Sequence, residues 1–414
     1  MKQAGFSWIV MVGLVWMQGA MAEGTKFRAE VNVPCRAVTQ GPLSHWFGYY
    51  DKEQFDPSGR YLLGMAVDFD DRPPTADDTI RIGMVDLHEQ DRWIDLGETR
   101  AWGWQQGCML QWVPGSASQI IYNDRRDGQF VAVIQDAFTG ETRTLPQAIY
   151  ALSPNGRYAV TTNFARLDET RPGYGYEGGK DAWGDQLHPA GDGIVRLDLK
   201  TGESKLILSL DQIAAFQPQE TMEGAKHWFN HLLVNPAGNR FIFLHRWEPV
   251  KKEGPRWRTR MFTANLDGSD ISCLADHDMV SHFIWKNPTQ ILAYTRKPES
   301  GDQYHLYTDQ SDTVDIVGGE VFTRDGHCTI SPDGRWMLTD TYPDQERMQT
   351  LMLYNLERKE LVILGRFYMD THFKDQSRCD LHGRWSRDGQ RVCIDSLHSG
   401  QRQMYLLDVS RIVR

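Results

Sequence analysis

The chain has 414 residues and a formal net charge of -10, with 45 Lys and Arg against 55 Asp and Glu. This acidic balance argues against nucleic acid as a partner, since such proteins carry a basic face. About 390 residues would remain after removal of a leader, enough for two or three ordinary domains or one large all-β domain.

Residues 1–22 read as a secretory signal peptide. Lys2 is their only charge, an apolar run crosses positions 6 to 16, and Ala20, Met21 and Ala22 make a small-x-small cleavage site. The run is shorter than the ~20 residues of a membrane span, although an uncleaved anchor is the alternative. No later stretch of the sequence is apolar enough to cross a membrane. The mature chain, 23–414, is therefore expected to be exported, either periplasmic or secreted, and monomeric. Cys35, Cys108, Cys273, Cys328, Cys379 and Cys393 are scattered, with no CxxC. Disulfide pairs and buried free thiols both stay open.

An apolar strand, a Pro/Gly turn and a second apolar strand recur along the mature chain. The turns fall at Pro57 to Gly59, around Pro114, at Pro154 to Gly156, at Pro236 to Gly238, at Pro288, at Pro332 to Gly334, and at Arg387 to Gly389, where Arg replaces Pro. Proline presets φ and glycine tolerates a positive φ, so each copy is a hairpin. Between copies the chain reads as two more strands, as in TLMLYNL and LVILGRF after the sixth turn. Four antiparallel strands repeated seven times predict an all-β, seven-bladed β-propeller. The seventh copy has only three strands before the chain stops. The segment FRAEVNVPCRAV, 27–38, has nothing near it to pair with. It is expected to supply the missing strand, close the ring and remove an exposed edge.

The widest spacing between successive turns runs from Gly156 to Gly238. Its excess, 165–193, is Gly-rich and aromatic and falls between the second and third strands of blade three. Long loops in compact domains are functional or disordered. Tyr174, Tyr176 and Trp183 favour a binding lid.

In a propeller the first strand of each blade starts at one face and the second strand ends there. Four consecutive blades open with a histidine: His231, His282, His327 and His382, with His45 of blade one as a fifth candidate. One such residue would do no more than satisfy backbone groups at the channel mouth. Four converging imidazoles point to metal ligands or bases. Asp325 stands two residues before His327, and Asp380 two before His382, so each carboxylate can share a face with its imidazole. At the second-strand ends lie Asn123, Arg125, Asn163, His245, Arg246 and Asp340, with Arg166 just beyond. The arginines bring local positive charge to an acidic protein, and Arg246 is placed to grip a carboxylate.

This pattern resembles the oligogalacturonate lyase family and its TolB-like propeller relatives, over about 47–409. The resemblance implies a divalent metal at the mouth, manganese first and calcium as the alternative, and cleavage of a uronic-acid glycan or oligosaccharide by β-elimination. His231 matches the family's base position, and His282 and His327 match metal positions. The family's close Gln-x-x-His-x-His cluster is absent here. Asp380 and His382 of blade seven stand in to complete the expected metal set. Arg246 would hold the uronate and Tyr174 or Tyr176 would close over the sugar, with Arg125, Arg166, Asn123 and His45 expected to line the subsite. Propeller ulvan lyases, which use His, Tyr and Arg, are an equally close architectural analogue. The other reading of the sequence is a non-catalytic propeller that binds a periplasmic protein or a glycan.

Overall fold

In the computed structural model the described residues are 27–252 and 254–414. The leader expected over 1–22 lies outside them. Seven antiparallel sheets follow one another along the chain and form a seven-bladed β-propeller. Blades one to six span 44–99, 111–145, 151–209, 226–275, 280–316 and 329–368. Blade seven contributes Arg384–Trp385, Arg391–Ser396 and Gln403–Asp408. Each inner hairpin turns on the glycine the sequence singles out, where one is present. Gly156 and Gly334 sit at φ 66° and 76°, where a side chain is strained. Where Arg387 replaces proline the turn survives, because Ser386 donates to Asp388 at 2.6 Å and accepts from the Arg391 N–H at 2.9 Å.

The N-terminal segment closes the ring as expected, and does one thing more. Cys35–Ala37 pairs with Gln403–Asp408 and becomes the fourth strand of blade seven. Just before it, Ala29–Val31 pairs with Glu360–Tyr368 and gives blade six a fifth strand. Two successive short strands thus cover the outer edges of two neighbouring blades, so neither offers a free ladder. Apolar side chains fill the spaces between blades. Trp336, Leu338, Leu351, Val392, Ile394 and Leu407 form one such seam, between blades six and seven. All six cysteines are free thiols.

A second seam ties blade seven to blade one and sets the position of the loop after Ser44–Trp46. Asp395 accepts from the Phe47 N–H at 3.2 Å, from the Gly48 N–H at 3.1 Å and from Arg384 at 2.8 Å. Asp395 is 2% exposed and Arg384 likewise, so the pair has no water to fall back on. Asp395→Ala takes the counter-charge from a buried guanidinium and an acceptor from two amides. It is expected to cost ~3–5 kcal/mol, read as a shift in the urea midpoint.

Candidate functional site

The four histidines meet at one mouth of the channel because the inner strands are distorted where they stand. In Lys226–Val234 the ladder slips between Asn230 and Leu233, and His231 takes φ 48°. In Val280–Trp285 it slips between Val280 and Phe283, around His282. His327 and His382 lie just ahead of Thr329–Ile330 and Arg384–Trp385, His382 at φ 44°. Such irregularities re-aim a side chain out of the strand's alternation. The His327 ring centre is 4.1 Å from His282 and 4.2 Å from His382. Tyr49, from the blade-one loop, stands between these three and His231, at 5.1 Å from both His231 and His382. None of the four imidazoles is more than 5% exposed.

His327, Asp380 and His382 offer ligand atoms that all lie within 4.8 Å of one another. Asp340 organises them from behind. It accepts from His327 Nδ1 at 2.8 Å and from the backbone N–H groups of His327 and His382 at 2.8 and 3.0 Å. That leaves Nε2 of His327 and Nε2 of His382 buried with no hydrogen-bond partner. Two orphaned imidazole nitrogens beside a carboxylate are costly in an empty core and suited to a divalent cation of the manganese or zinc kind. A carboxylate behind a ligating imidazole is the usual arrangement that orients such a ring. The donor set therefore fits a metal. His282, its Nδ1 3.0 Å from Asp325 Oδ1, keeps Nε2 as its remaining ligand atom.

The electrostatics agree. Burial opposes charge on His327, but Asp340, Asp380 and Asp325 outweigh it and raise its pKa to about 9. Burial keeps His382 and His282 below the usual imidazole range, His382 far below. Asp380 is buried too, yet Arg378, forked onto it at 2.8 and 2.6 Å, holds its carboxyl far below the carboxylate range. The carboxylates thus call for one positive charge at His327, which a proton or a cation can supply.

Beside this cluster lies a cation that pairs with no carboxylate among the described residues. Arg246 is 3% exposed. It donates to Thr259 Oγ1 at 3.2 Å and to the Val280 carbonyl at 3.4 Å, while its Nη1 has no partner. Burial, and then Arg171, lower its pKa to about 9. Arg171 lies 4.3 Å over the Tyr174 ring and 4.5 Å over Trp257. Burial works against the Tyr174 phenolate, but Arg171 and Arg378 overturn it and bring the phenol below its usual range. Tyr174 meets His231 edge-on at 5.6 Å. Burial, then Arg246 and Arg171, hold His231 far below the imidazole range, so it is neutral.

Of the residues singled out in the sequence, His231, His282, His327, His382, Asp380, Arg246 and Tyr174 are brought to this mouth. The other five have their polar groups engaged elsewhere. All five N–H groups of Arg166 are used internally: on the His227 carbonyl at 2.7 Å, Asp181 at 3.1 Å, and the carbonyls of Trp183, Gln186 and Leu187. Arg125 donates to the carbonyls of Gly178 and Ala76. Asn123 joins the Ile149 backbone to the Tyr176 hydroxyl, and Tyr176 is stacked 4.3 Å from Phe164. The cause is common to these four. The 165–193 segment, which starts with a helix at Phe164–Thr170, packs over the strand ends and consumes their polar groups. His45 bonds Gln403 at 3.1 Å and, with Trp93 and Asp91, lines a separate cavity of about 300 Å³. Asp325 pairs not with His327 of its own blade but with His282 of the blade before.

Sequence reasoning passed over Tyr49, Gln106, Tyr150, Arg171 and Arg378. The Tyr49-Tyr50 pair, three residues after Trp46, was the clearest available signal. Tyr150 stands just before the first strand of blade three and Arg378 two residues before Asp380, while Gln106 and Arg171 come from stretches outside the repeat.

His227 and His245 form a second buried pair, Nδ1 to Nε2 at 2.8 Å. Burial, then His188, lower the His227 pKa from 6.5 to about 4. Above pH 7 neither the folded nor the unfolded chain protonates this ring. Between about 6.5 and 4 only the unfolded chain does, so stability is lost on acidification, by up to ~3 kcal/mol for this ring. Thermal unfolding between pH 7.5 and 5 should show the fall, and His227→Phe should flatten it.

No protein-family model matches the chain, and no curated protein does. Among solved structures the fold is similar to that of an oligogalacturonate lyase from Vibrio parahaemolyticus, 16% identical over 92% of this chain and 97% of that one, with a TM-score of 0.63. It is also similar to an oligogalacturonate lyase in complex with manganese, 18% identical over 92% of this chain and 96% of that one, with a TM-score of 0.65. A TolB from Acinetobacter baumannii aligns at 12% identity over 84% of this chain and 80% of that one, with a TM-score of 0.41. At these identities the likeness is one of fold. No helix among the described residues is long and apolar enough to cross a membrane.

Proposed function

We propose that this protein is an exported lyase that cleaves a uronic-acid glycan or its oligosaccharides by β-elimination at the propeller mouth. The observation that carries the reading is Arg246, a buried cation with an unpartnered Nη1, set beside two proton-transfer groups and a His/Asp metal set. A site that holds an anion next to a base is what removal of a proton α to a carboxylate requires. The similarity in fold to oligogalacturonate lyases, one of them in complex with manganese, supports it.

In β-elimination the C5 proton leaves, its electrons form the C4–C5 double bond, and the C4–O bond breaks. That proton is poorly acidic while the neighbouring carboxylate keeps its full charge, so the charge must be offset as it spreads. Arg246 Nη1 binds the uronate carboxylate and supplies part of that offset in a site of low dielectric. His327, His382 and Asp380, with His282 beside them, would hold a divalent cation, manganese or calcium, which polarises a carboxylate as a Lewis acid. The proton acceptor is one of the two groups at the mouth, His231 or Tyr174.

The test is incubation of the mature protein with polygalacturonate, alginate and a rhamnose-containing uronan, each with and without manganese or calcium. A rise in ultraviolet absorbance from the new double bond is expected with at least one. New reducing ends without that absorbance would mean hydrolysis. No change on any substrate would leave the binding-propeller reading in its place.

A further inference from the structure

The lyase reading gives a task to Arg246 and none to its neighbour Arg171. Arg171 is the C-cap of the helix Phe164–Thr170, where its backbone N–H donates to the Leu167 carbonyl at 2.8 Å. Its guanidinium lies over two aromatic rings, 4.3 Å from the centre of Tyr174 and 4.5 Å from that of Trp257. Arg246 approaches the same Trp257 ring, at 5.9 Å. Stacking holds a guanidinium plane in place and leaves its N–H edge unused. Nε of Arg171 is buried with no hydrogen-bond partner, as is Nη1 of Arg246.

Among the described residues neither guanidinium pairs with a carboxylate. Those nearby are already engaged: Asp380 by Arg378, Asp340 by His327 and Asp325 by His282. Burial and then the Arg171 charge lower the Arg246 pKa, the second effect being repulsion between like charges. A cation at a helix C-terminus is favourable on its own account. That does not explain a side chain that leaves the helix end for two rings beside a second cation. A single uronate carboxylate carries one charge. Forked onto Arg246, it leaves Arg171 unanswered, and an unanswered buried donor on a cation is costly.

We propose that Arg171 is a specificity-determining residue, whose guanidinium binds a second anionic group, carboxylate or sulfate, on the sugar next to the one held by Arg246. The inference rests on the uronate reading of Arg246 above. It narrows the substrate to a glycan with charge on adjacent sugars, and disfavours one whose uronates alternate with neutral sugars. Two N–H groups side by side fit a carboxylate, and sulfate presents the same pair of oxygens.

Calorimetric titration with matched disaccharides tests this. Digalacturonate is compared with its mono-methyl ester, and a uronate–rhamnose disaccharide with the same molecule sulfated on the rhamnose. Binding is read in a His231→Gln/Tyr174→Phe background, which removes both candidate proton acceptors and keeps the ring under Arg171. The doubly charged member of at least one pair should bind ~10–100-fold more tightly than its partner. The pair that shows the difference identifies the second anion as carboxylate or sulfate. Arg171→Met, added to this background, should abolish the difference and leave affinity for the singly charged member within about threefold. Arg171→Lys keeps the charge without the fork and should retain part of the difference. Equal affinity within both pairs, or no binding of either, overturns the proposal. So does an Arg171→Met variant that loses affinity for both members equally, since Arg171 then only supports Tyr174 and Trp257. The fate of the lyase reading is decided separately, by the C4–C5 double bond in otherwise unaltered protein. A charge preference without that bond would leave Arg171 its role and remove the lyase.

Discussion

Purified His327→Ala/His382→Ala protein should retain close to no divalent metal after dialysis, where the parent retains about one ion per chain. Among the described residues the two imidazoles are the pair of buried, unpartnered Nε2 atoms at the mouth, and Asp380 alone is already forked by Arg378. Losing both ligands leaves one carboxylate and the neighbouring His282, too little to hold an ion that keeps exchanging with water. Thermal stability gives a second reading. Metal at 100 times its Kd stabilises the parent by ~2.7 kcal/mol, and the double variant should lose that manganese-dependent shift in Tm altogether. Asp340→Asn keeps every ligand but loses the carboxylate behind His327, so metal should bind ~10–100-fold more weakly. His231→Ala should bind metal as the parent does, because His231 is not among the converging ligand atoms. Retention of a full metal ion by the double variant would move the metal centre elsewhere.

Arg246→Met should destroy turnover and yet make the protein more stable. These effects go in opposite directions because the guanidinium is held without a partner charge, and burial has already pulled its pKa down to about 9. Folding carries the desolvation cost of that cation, with only a hydroxyl and a carbonyl in return. A thioether of similar length fills the same space at no such cost, and exchanges of this kind gain ~1–4 kcal/mol. The same change removes the group proposed to hold the uronate, where loss of one preorganised donor costs ~100–1000-fold in kcat. Stability that rises by denaturant titration while lyase activity disappears would mark Arg246 as a functional group maintained against the fold's interest. A variant that unfolds instead would make Arg246 a structural residue.

The hairpin turns, the seven-fold repeat, the closure of blade seven by 27–38 and the register of the four histidines were legible in the sequence. All of these are local or periodic properties. A Pro/Gly turn between two apolar runs encodes a hairpin wherever it lies, and seven of them encode a ring because each blade needs neighbours on both faces. Periodicity does not show what Asn123, Arg125 and Arg166 bond to. Their register is right, but 165–193 folds down as a helix and packed turns and takes their hydrogen bonds. A lid was expected there, and only Tyr174 of it reaches His231. The second edge strand, Ala29–Val31 on blade six, has no repeat to announce it either.

What this sequence settled alone was the ring and the height at which its imidazoles stand, since strand alternation and turn chemistry act over a few residues. Which groups face one another was decided only in three dimensions. Tyr49 comes to His231, Asp325 to His282 in the blade before, Asp340 to the His382 backbone in the blade after, and Arg246 Nη1 is left without a hydrogen-bond partner. Those relations join residues from different blades across the channel. They depend on ring closure, bulges and loop packing, none of which a short window of sequence contains.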